Sequence, residues 1–184
     1  VELTEMLSIG DPTDRQVYMG PVINQRSYED YQAFVKELGA VGKILTGGKI
    51  LSEGDYSKGY FCTPTIVADV PLNHRLWKTE MFVPIVMVAP VKDLEEAMQL
   101  ANDVDYGLTA GMYGTQAEVD WFFDHIEAGT VYANRPQGST TGAWPGFQPF
   151  GGWKGSGSSG KNGGGLYYVQ LYMHEQSRTL VKRS

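Results

Sequence analysis

A single cysteine, Cys62, stands in the whole chain. One thiol cannot form an internal disulfide, so a cross-linked extracellular scaffold is excluded, and a reducing compartment, the cytoplasm, is expected. Histidine is almost as scarce. His74, His125 and His174 lie far apart, in no spacing that ligates a metal, and no metal site is expected. The formal net charge is −6 and no basic run is longer than the closing "VKR", which argues against a nucleic-acid partner. The longest apolar run, "VPIVMVAPV", is too short to span a bilayer and carries prolines, so no membrane partner is expected either. No signal peptide is read at the start, and no nucleophile elbow or phosphate loop anywhere.

What is present reads as one well-packed domain of ordinary composition, 42% hydrophobic over 184 residues. The opening "VELTEMLSIG" reads as the last turns of a helix already under way, so a piece of a longer polypeptide is expected. In "SYEDYQAFVKELGAVG" the apolar residues Tyr31, Phe34, Val35 and Leu38 recur at helical spacing and a glycine closes the run. "KILTGG" and "YFCTPTIV" read as short strands with the exposed loop "LSEGDYSKG" between them. The run "VPIVMVAPV" suits a strand covered on both faces.

In "DLEEAMQLAND", Asp93 is placed to cap a helix whose third position is Glu96, with Leu94, Ala97, Met98 and Ala101 as its apolar stripe. "LTAGMYG" reads as a strand. "TQAEVDWFFDHIEAG" repeats the helical pattern: Thr115 caps, Glu118 reaches back, Val119, Phe122, Phe123 and Ile126 form the stripe, and Gly129 closes it. His125 is expected to be partly buried on that helix. "TVYAN" is a further strand. Such alternation predicts an α/β fold, a three-layer, open, mostly parallel sheet with crossover helices.

Residues 155–160, "GSGSSG", fit the dinucleotide fingerprint G-x-G-x-x-G. That fingerprint works only between a strand and a helix, where its glycines let the backbone approach a pyrophosphate. Here a proline and glycines lead in and "KNGGG" leads out. Eight of the fifteen residues 151–165 are glycine, so the match is read as coincidence. Cys62 sits within a strand, away from the electropositive setting a reactive thiol needs, and is read as structural.

Two stretches carry more. "KTEMFVPIV" puts one acid, Glu80, after a short helical turn and before a strand. "FQPFGGWKGSG" follows the bulky Phe150 with a glycine pair and Lys154. A carboxylate at a strand mouth can accept hydrogen bonds from both hydroxyls of a ribose; the alternative is a solvated surface acid.

"TEMFVP" resembles the E-x-F-G-P motif of the aldehyde dehydrogenase superfamily, and "PFGGWKGSG" matches that family's P-F-G-G-x-K-x-S-G. "GPVINQ", "GGK", "GYFCTPTI", "ANDVDYGLTAGMYG" and "GTVYAN" are similar to family stretches in the same order. The resemblance covers nearly the whole chain. It implies that residues 1–165 form the C-terminal part of the family's catalytic domain and that 166–184 form a tail with an oligomerisation strand. It also implies that the catalytic groups, a nucleophilic cysteine and a general-base glutamate, lie outside this chain, since Cys62 does not align with the nucleophile.

On the same resemblance, NAD is the expected cofactor, with NADP left open. Glu80 would bind the nicotinamide ribose, Phe82 would lean on the nicotinamide, and Phe150 would wall the aldehyde pocket. "VYANRPQGSTTGAWPGFQPFGG" resembles the branch acting on L-glutamate γ-semialdehyde, the open form of 1-pyrroline-5-carboxylate. There Asn134, Arg135 and Thr141, with Gly142 and Ala143, would belong to the loop that anchors the substrate's α-carboxylate, because successive backbone N–H groups make an anion nest. Other expectations left standing are a different aldehyde or semialdehyde as substrate, or a non-catalytic product that only folds or associates. A small-molecule aldehyde and further copies of the chain are the expected partners. One departure bears on the structure: the family's glycine after Phe is Val83 here, and a β-branched residue fits poorly wherever a turn needs positive φ.

Overall fold

Asn24 starts the first long element. Its side chain accepts a hydrogen bond from the Ser27 amide at 2.9 Å and so caps helix α2, Gln25–Val41. A one-turn helix, α1, Glu2–Glu5, precedes it and buries nothing. The computed structural model describes residues 1–135, 146–158 and 161–182, and divides into two compact units, Val1–Val91 and Lys92–Ser184.

In the first unit, α2 buries Tyr31 and Leu38 and lays Tyr28, Phe34 and Val35 along the same core. It stops at Gly42, whose backbone is extended (φ −136°). Glycine is needed there for closeness: a Cβ would stand 2.7 Å from both the Ala68 carbonyl oxygen and the Val70 side chain. Strands β1 (Lys43–Thr46), β4 (Thr65–Ala68) and β5 (Ile85–Met87) form one sheet in the order β1-β4-β5, antiparallel then parallel. Strands β2 (Ile50–Leu51) and β3 (Phe61–Cys62) form a separate antiparallel pair around the expected loop, which is wound into a short 3-10 turn, Gly54–Lys58.

A buried polar knot ties helix to strands. The Tyr31 hydroxyl lies 2.8 Å from both the Thr63 carbonyl and Thr65 Oγ1, and Thr65 Oγ1 also accepts from the Gly48 amide at 2.8 Å. Each polar group of the knot therefore has a partner, as burial requires. The expectation of a strand covered on both faces is corrected: β5 is three residues long, with Ile85 buried but Val86 58% exposed. Among the described residues it is an edge strand, and α2 packs beside β1 and β3.

The second unit follows the predicted alternation. Asp93 caps α3, Leu94–Asn102, accepting from the Glu96 amide at 2.8 Å. Strands β6 (Tyr106–Gly107) and β7 (Thr109–Met112) lead to α4, Gln116–His125, whose capping box between Thr115 and Glu118 is complete. Strand β8, Thr130–Ala133, then returns parallel to β7 from Thr109↔Thr130 to Met112↔Ala133, a strand–helix–strand crossover. Strand β9, Trp153–Lys154, pairs antiparallel with β6. The core here is Met98, Phe122, Ile126 and Ala128.

Three expectations are corrected in this unit. Phe123 is 43% exposed and lies off the buried stripe, and His125 is exposed, stacked on Trp121 at 4.4 Å. Helix α4 ends at His125, well before Gly129. Gly129 serves a close approach instead, since a Cβ there would meet the Gly151 carbonyl oxygen at 2.0 Å. In the tail, a 3-10 turn, Val169–Tyr172, is followed by chain that joins no sheet ladder among the described residues. The α/β architecture with a crossover helix thus stands, carried by small sheets of both parallel and antiparallel pairing.

Candidate functional site

Glu80 and Phe82 hang from a well-fastened turn. Residues Arg75–Lys78 form a 3-10 turn capped by His74, whose Nδ1 accepts from the Leu76 amide at 3.3 Å. Leu76 is buried, Trp77 Nε1 donates to the Pro71 carbonyl at 3.0 Å, and Thr79 Oγ1 donates to the Arg75 carbonyl at 3.1 Å. Arg75 grips Glu37 of α2 through both Nε and a terminal nitrogen, and His74 Nε2 lies 3.4 Å from the same carboxylate. Such a two-pronged guanidinium contact fixes orientation as well as distance.

From that base the chain alternates. Glu80 is exposed and engages no hydrogen-bond or ion-pair partner among the described residues. Met81 and Val83 pack against the core formed by Tyr31, Leu38, Cys62, Val67, Val70, Leu76 and Ile85. Phe82 between them is 81% exposed, with φ at +55°. Val83 is spared positive φ, as suits a β-branched residue; the left-handed conformation falls on Phe82 instead. The next turn closes as the Ile85 amide donates to the Val83 carbonyl at 2.7 Å, and the Thr65 amide to the Pro84 carbonyl at 2.9 Å.

The second group of candidates belongs to the other unit. Asn134 leaves β8 at φ +49° and spends its side chain on Gly114: Oδ1 accepts from the Gly114 amide and Nδ2 donates to its carbonyl, both at 2.9 Å. The Tyr113 hydroxyl donates to the Arg135 carbonyl, and the Arg135 guanidinium lies 6.0 Å from the Tyr132 ring centre. Phe150 is half-buried and exchanges two backbone hydrogen bonds with Gly163, at 2.7 and 2.9 Å. Lys154 is committed to the fold, its Nζ 2.6 Å from both the Glu127 carboxylate and the Asn102 carbonyl. Thr141, Gly142 and Ala143 lie outside the described residues.

Cys62 is fully buried, and burial pushes its thiol up to about 11, so it is protonated at neutral pH and no nucleophile. Among the described residues no trio of His, Cys, Asp or Glu could hold a metal ion, and no helix is long and apolar enough to cross a membrane. A surface cavity of about 710 Å³ lies among Asp11, Pro12, Glu53, Tyr56, Lys58 and Phe61, and none of the candidate residues lines it. Around 155–160, β9 is only two residues long and no α-helix follows within the described residues, so the fingerprint's context is missing.

Sequence reasoning missed the positive φ of Phe82 and the clamp of Asn134 on Gly114. The second had a signal, since asparagine tolerates that backbone region and stands at a strand end; the first had none.

Comparison with known proteins adds a frame. Residues 1–177 match the sequence model of the Aldehyde dehydrogenase family. The 1-pyrroline-5-carboxylate dehydrogenase of Geobacillus sp. (strain WCH70) is 39% identical over 181 residues, 98% of this chain and 33% of that protein. The chain therefore spans about a third of the length of the curated relatives it matches. A point mutant of Thermus thermophilus 1-pyrroline-5-carboxylate dehydrogenase superposes with a TM-score of 0.81 at 37% identity, over 93% of this chain and 32% of that one. The structure of 1-pyrroline-5-carboxylate dehydrogenase from Thermus with bound NAD gives 0.74 at 36% identity, over 83% of this chain and 28% of that one.

Proposed function

The chain belongs to the aldehyde dehydrogenase family, and on that premise we propose that it is the C-terminal third of an NAD-dependent enzyme that oxidises L-glutamate γ-semialdehyde to L-glutamate. The observation that carries the reading is the likeness, sustained over 98% of the chain, to proteins named for 1-pyrroline-5-carboxylate, the cyclic form of that aldehyde. In this reading residues 1–165 belong to the catalytic domain and 166–184 to an oligomerising tail. The exposed Leu166, Leu171, Tyr172, Leu180 and Val181 support a tail that a second copy covers. The enzyme is cytoplasmic and takes no nucleic acid.

The residues present suit a nicotinamide nucleotide. Glu80 offers a carboxylate that no donor among the described residues occupies, so both oxygens can accept from the two hydroxyls of a ribose. Phe82, two residues on, leaves its aromatic ring exposed. NAD, when bound, supplies the hydride acceptor. By the family resemblance Glu80 and Phe82 would hold and orient that group, and Phe150 would wall the aldehyde pocket. By the same resemblance Gly142 and Ala143 would hold the substrate's α-carboxylate. Asn134 takes part only indirectly, because its side chain is committed to Gly114. Neither Cys62 nor any other described residue is assigned the covalent step, which falls to the rest of the enzyme.

The anchor is the point to test. Ala143→Asp in the whole enzyme sets a negative charge against the carboxylate, and like charges in a desolvated site cost several kcal/mol. The kcat/KM for glutamate γ-semialdehyde should fall roughly a hundredfold or more, while that for propanal, which has no carboxylate, falls far less. Equal losses for both aldehydes would replace this reading with a general aldehyde dehydrogenase.

A further inference from the structure

Phe82 poses a physical problem. A bulky non-glycine residue at positive φ is strained, and a ring 81% exposed gains little from burial that could offset the strain. Such a conformation persists only where its surroundings impose it. The polar fastenings of the preceding turn end at Thr79, and Glu80 adds no hydrogen bond among the described residues. What remains is apolar: Met81 and Val83, on either side of Phe82, are both seated against the core, so the residue between them is turned outward. The chain beyond is pinned at once, by the Ile85 amide on the Val83 carbonyl and the Thr65 amide on the Pro84 carbonyl.

We propose that Val83, with Met81, is a positioning residue for the cofactor: the two side chains anchor the turn from below and hold Phe82 outward, in its strained conformation, where it meets the nicotinamide. The proposal rests on the cofactor reading given above. Val83 touches neither cofactor nor substrate; it acts through Phe82. Restricting the ring to one pose before binding lowers the ordering cost of binding, the general benefit of preorganisation.

The test uses the whole enzyme and three variants. Val83→Gly removes the anchor and frees the backbone, Met81→Ala trims the other anchor, and Val83→Ile keeps an apolar β-branched seat. Amide hydrogen exchange at Ile85 reads the order of the turn without any cofactor present. Val83→Gly should exchange there about tenfold faster, as expected when a half-buried side chain is lost and glycine's freedom gained. Its dissociation constant for NAD should rise as the ordered, competent fraction of turns falls, reaching about tenfold where only about a tenth of the turns stay ordered. Met81→Ala should move both in the same direction by less, and Val83→Ile should keep both near wild type. Unchanged NAD affinity in Val83→Gly, whether or not exchange quickens, overturns the proposal. A wild-type enzyme that binds NAD but does not oxidise glutamate γ-semialdehyde would defeat the substrate reading alone and leave this comparison intact.

Discussion

Phe82 and Asn134 share a backbone conformation and almost nothing else. Each is a non-glycine residue at positive φ, +55° shortly before β5 and +49° directly after β8. Asn134 satisfies itself. Its side chain closes two 2.9 Å hydrogen bonds on Gly114, and asparagine is among the residues that tolerate this region. Phe82 has no such means, and its conformation is imposed by its neighbours in the core. A strained residue that stabilises itself serves the fold. One that is held by others, with its side chain left in solvent, points to a ligand.

The comparison can be broken most forcefully at Asn134. Asn134→Ala removes two hydrogen bonds at about 1 kcal/mol each and leaves a residue less tolerant of positive φ, for a loss of about 3 kcal/mol in all. Asn134→Gly keeps the conformation and loses only the clamp, so it should cost about 2 kcal/mol, two-thirds as much. Chemical denaturation of both variants measures the difference; equal losses would mean that the clamp, and not the backbone, carries the whole cost.

At the Phe82 turn the expected losses are of binding and not of stability. Glu80→Gln keeps the shape and removes a charge worth ~1.5–3 kcal/mol in a charged hydrogen bond. NAD affinity or hydride transfer in the whole enzyme should drop about tenfold or more, with the melting temperature unchanged because Glu80 braces no other described residue. Wild-type values for both would make Glu80 a solvated surface acid.

Phe82→Gly sharpens the contrast through its sign. Relief of positive φ should stabilise the fold by up to about 1 kcal/mol, because the ring buries little, while cofactor binding weakens. A substitution at Asn134 can only destabilise. A less stable Phe82→Gly would contradict the account of strain.

The smallest effect, nil at neutral pH, belongs to Cys62 in the core beneath the same turn. Its thiol titrates near 9.0 when exposed and near 11 in the fold. Between those values the unfolded chain has lost a proton that the folded one keeps, so stability falls as pH rises from about 9 toward 11. Cys62→Ala should flatten that slope. An equally steep decline in the variant would assign it to other groups.

How much of this is legible in the sequence varies with the range of the cause. The caps at Asp93 and Thr115 stand where spacing puts them, because a cap is decided within four residues. The crossover from β7 through α4 to β8 is readable for the same reason. Gly129 reads as a helix stop in the sequence, yet its need for a missing Cβ comes from Gly151, distant along the chain. The full cover expected over β5 fails because burial depends on what packs against a strand, which an apolar run cannot specify. Motifs single out Glu80 and Phe150, whereas the strain at Phe82 arises from packing on either side of it, and no residue type announces it.

One measurement bears most directly on the central claim. The whole enzyme is assayed for NADH formation from L-glutamate γ-semialdehyde and from propanal under the same conditions, and the two kcat/KM values are compared. The account predicts NAD-dependent oxidation of both, with the semialdehyde preferred by about a hundredfold or more, the discrimination a buried carboxylate anchor supplies. A preference for the uncharged aldehyde, or no NADH from the semialdehyde, would contradict it.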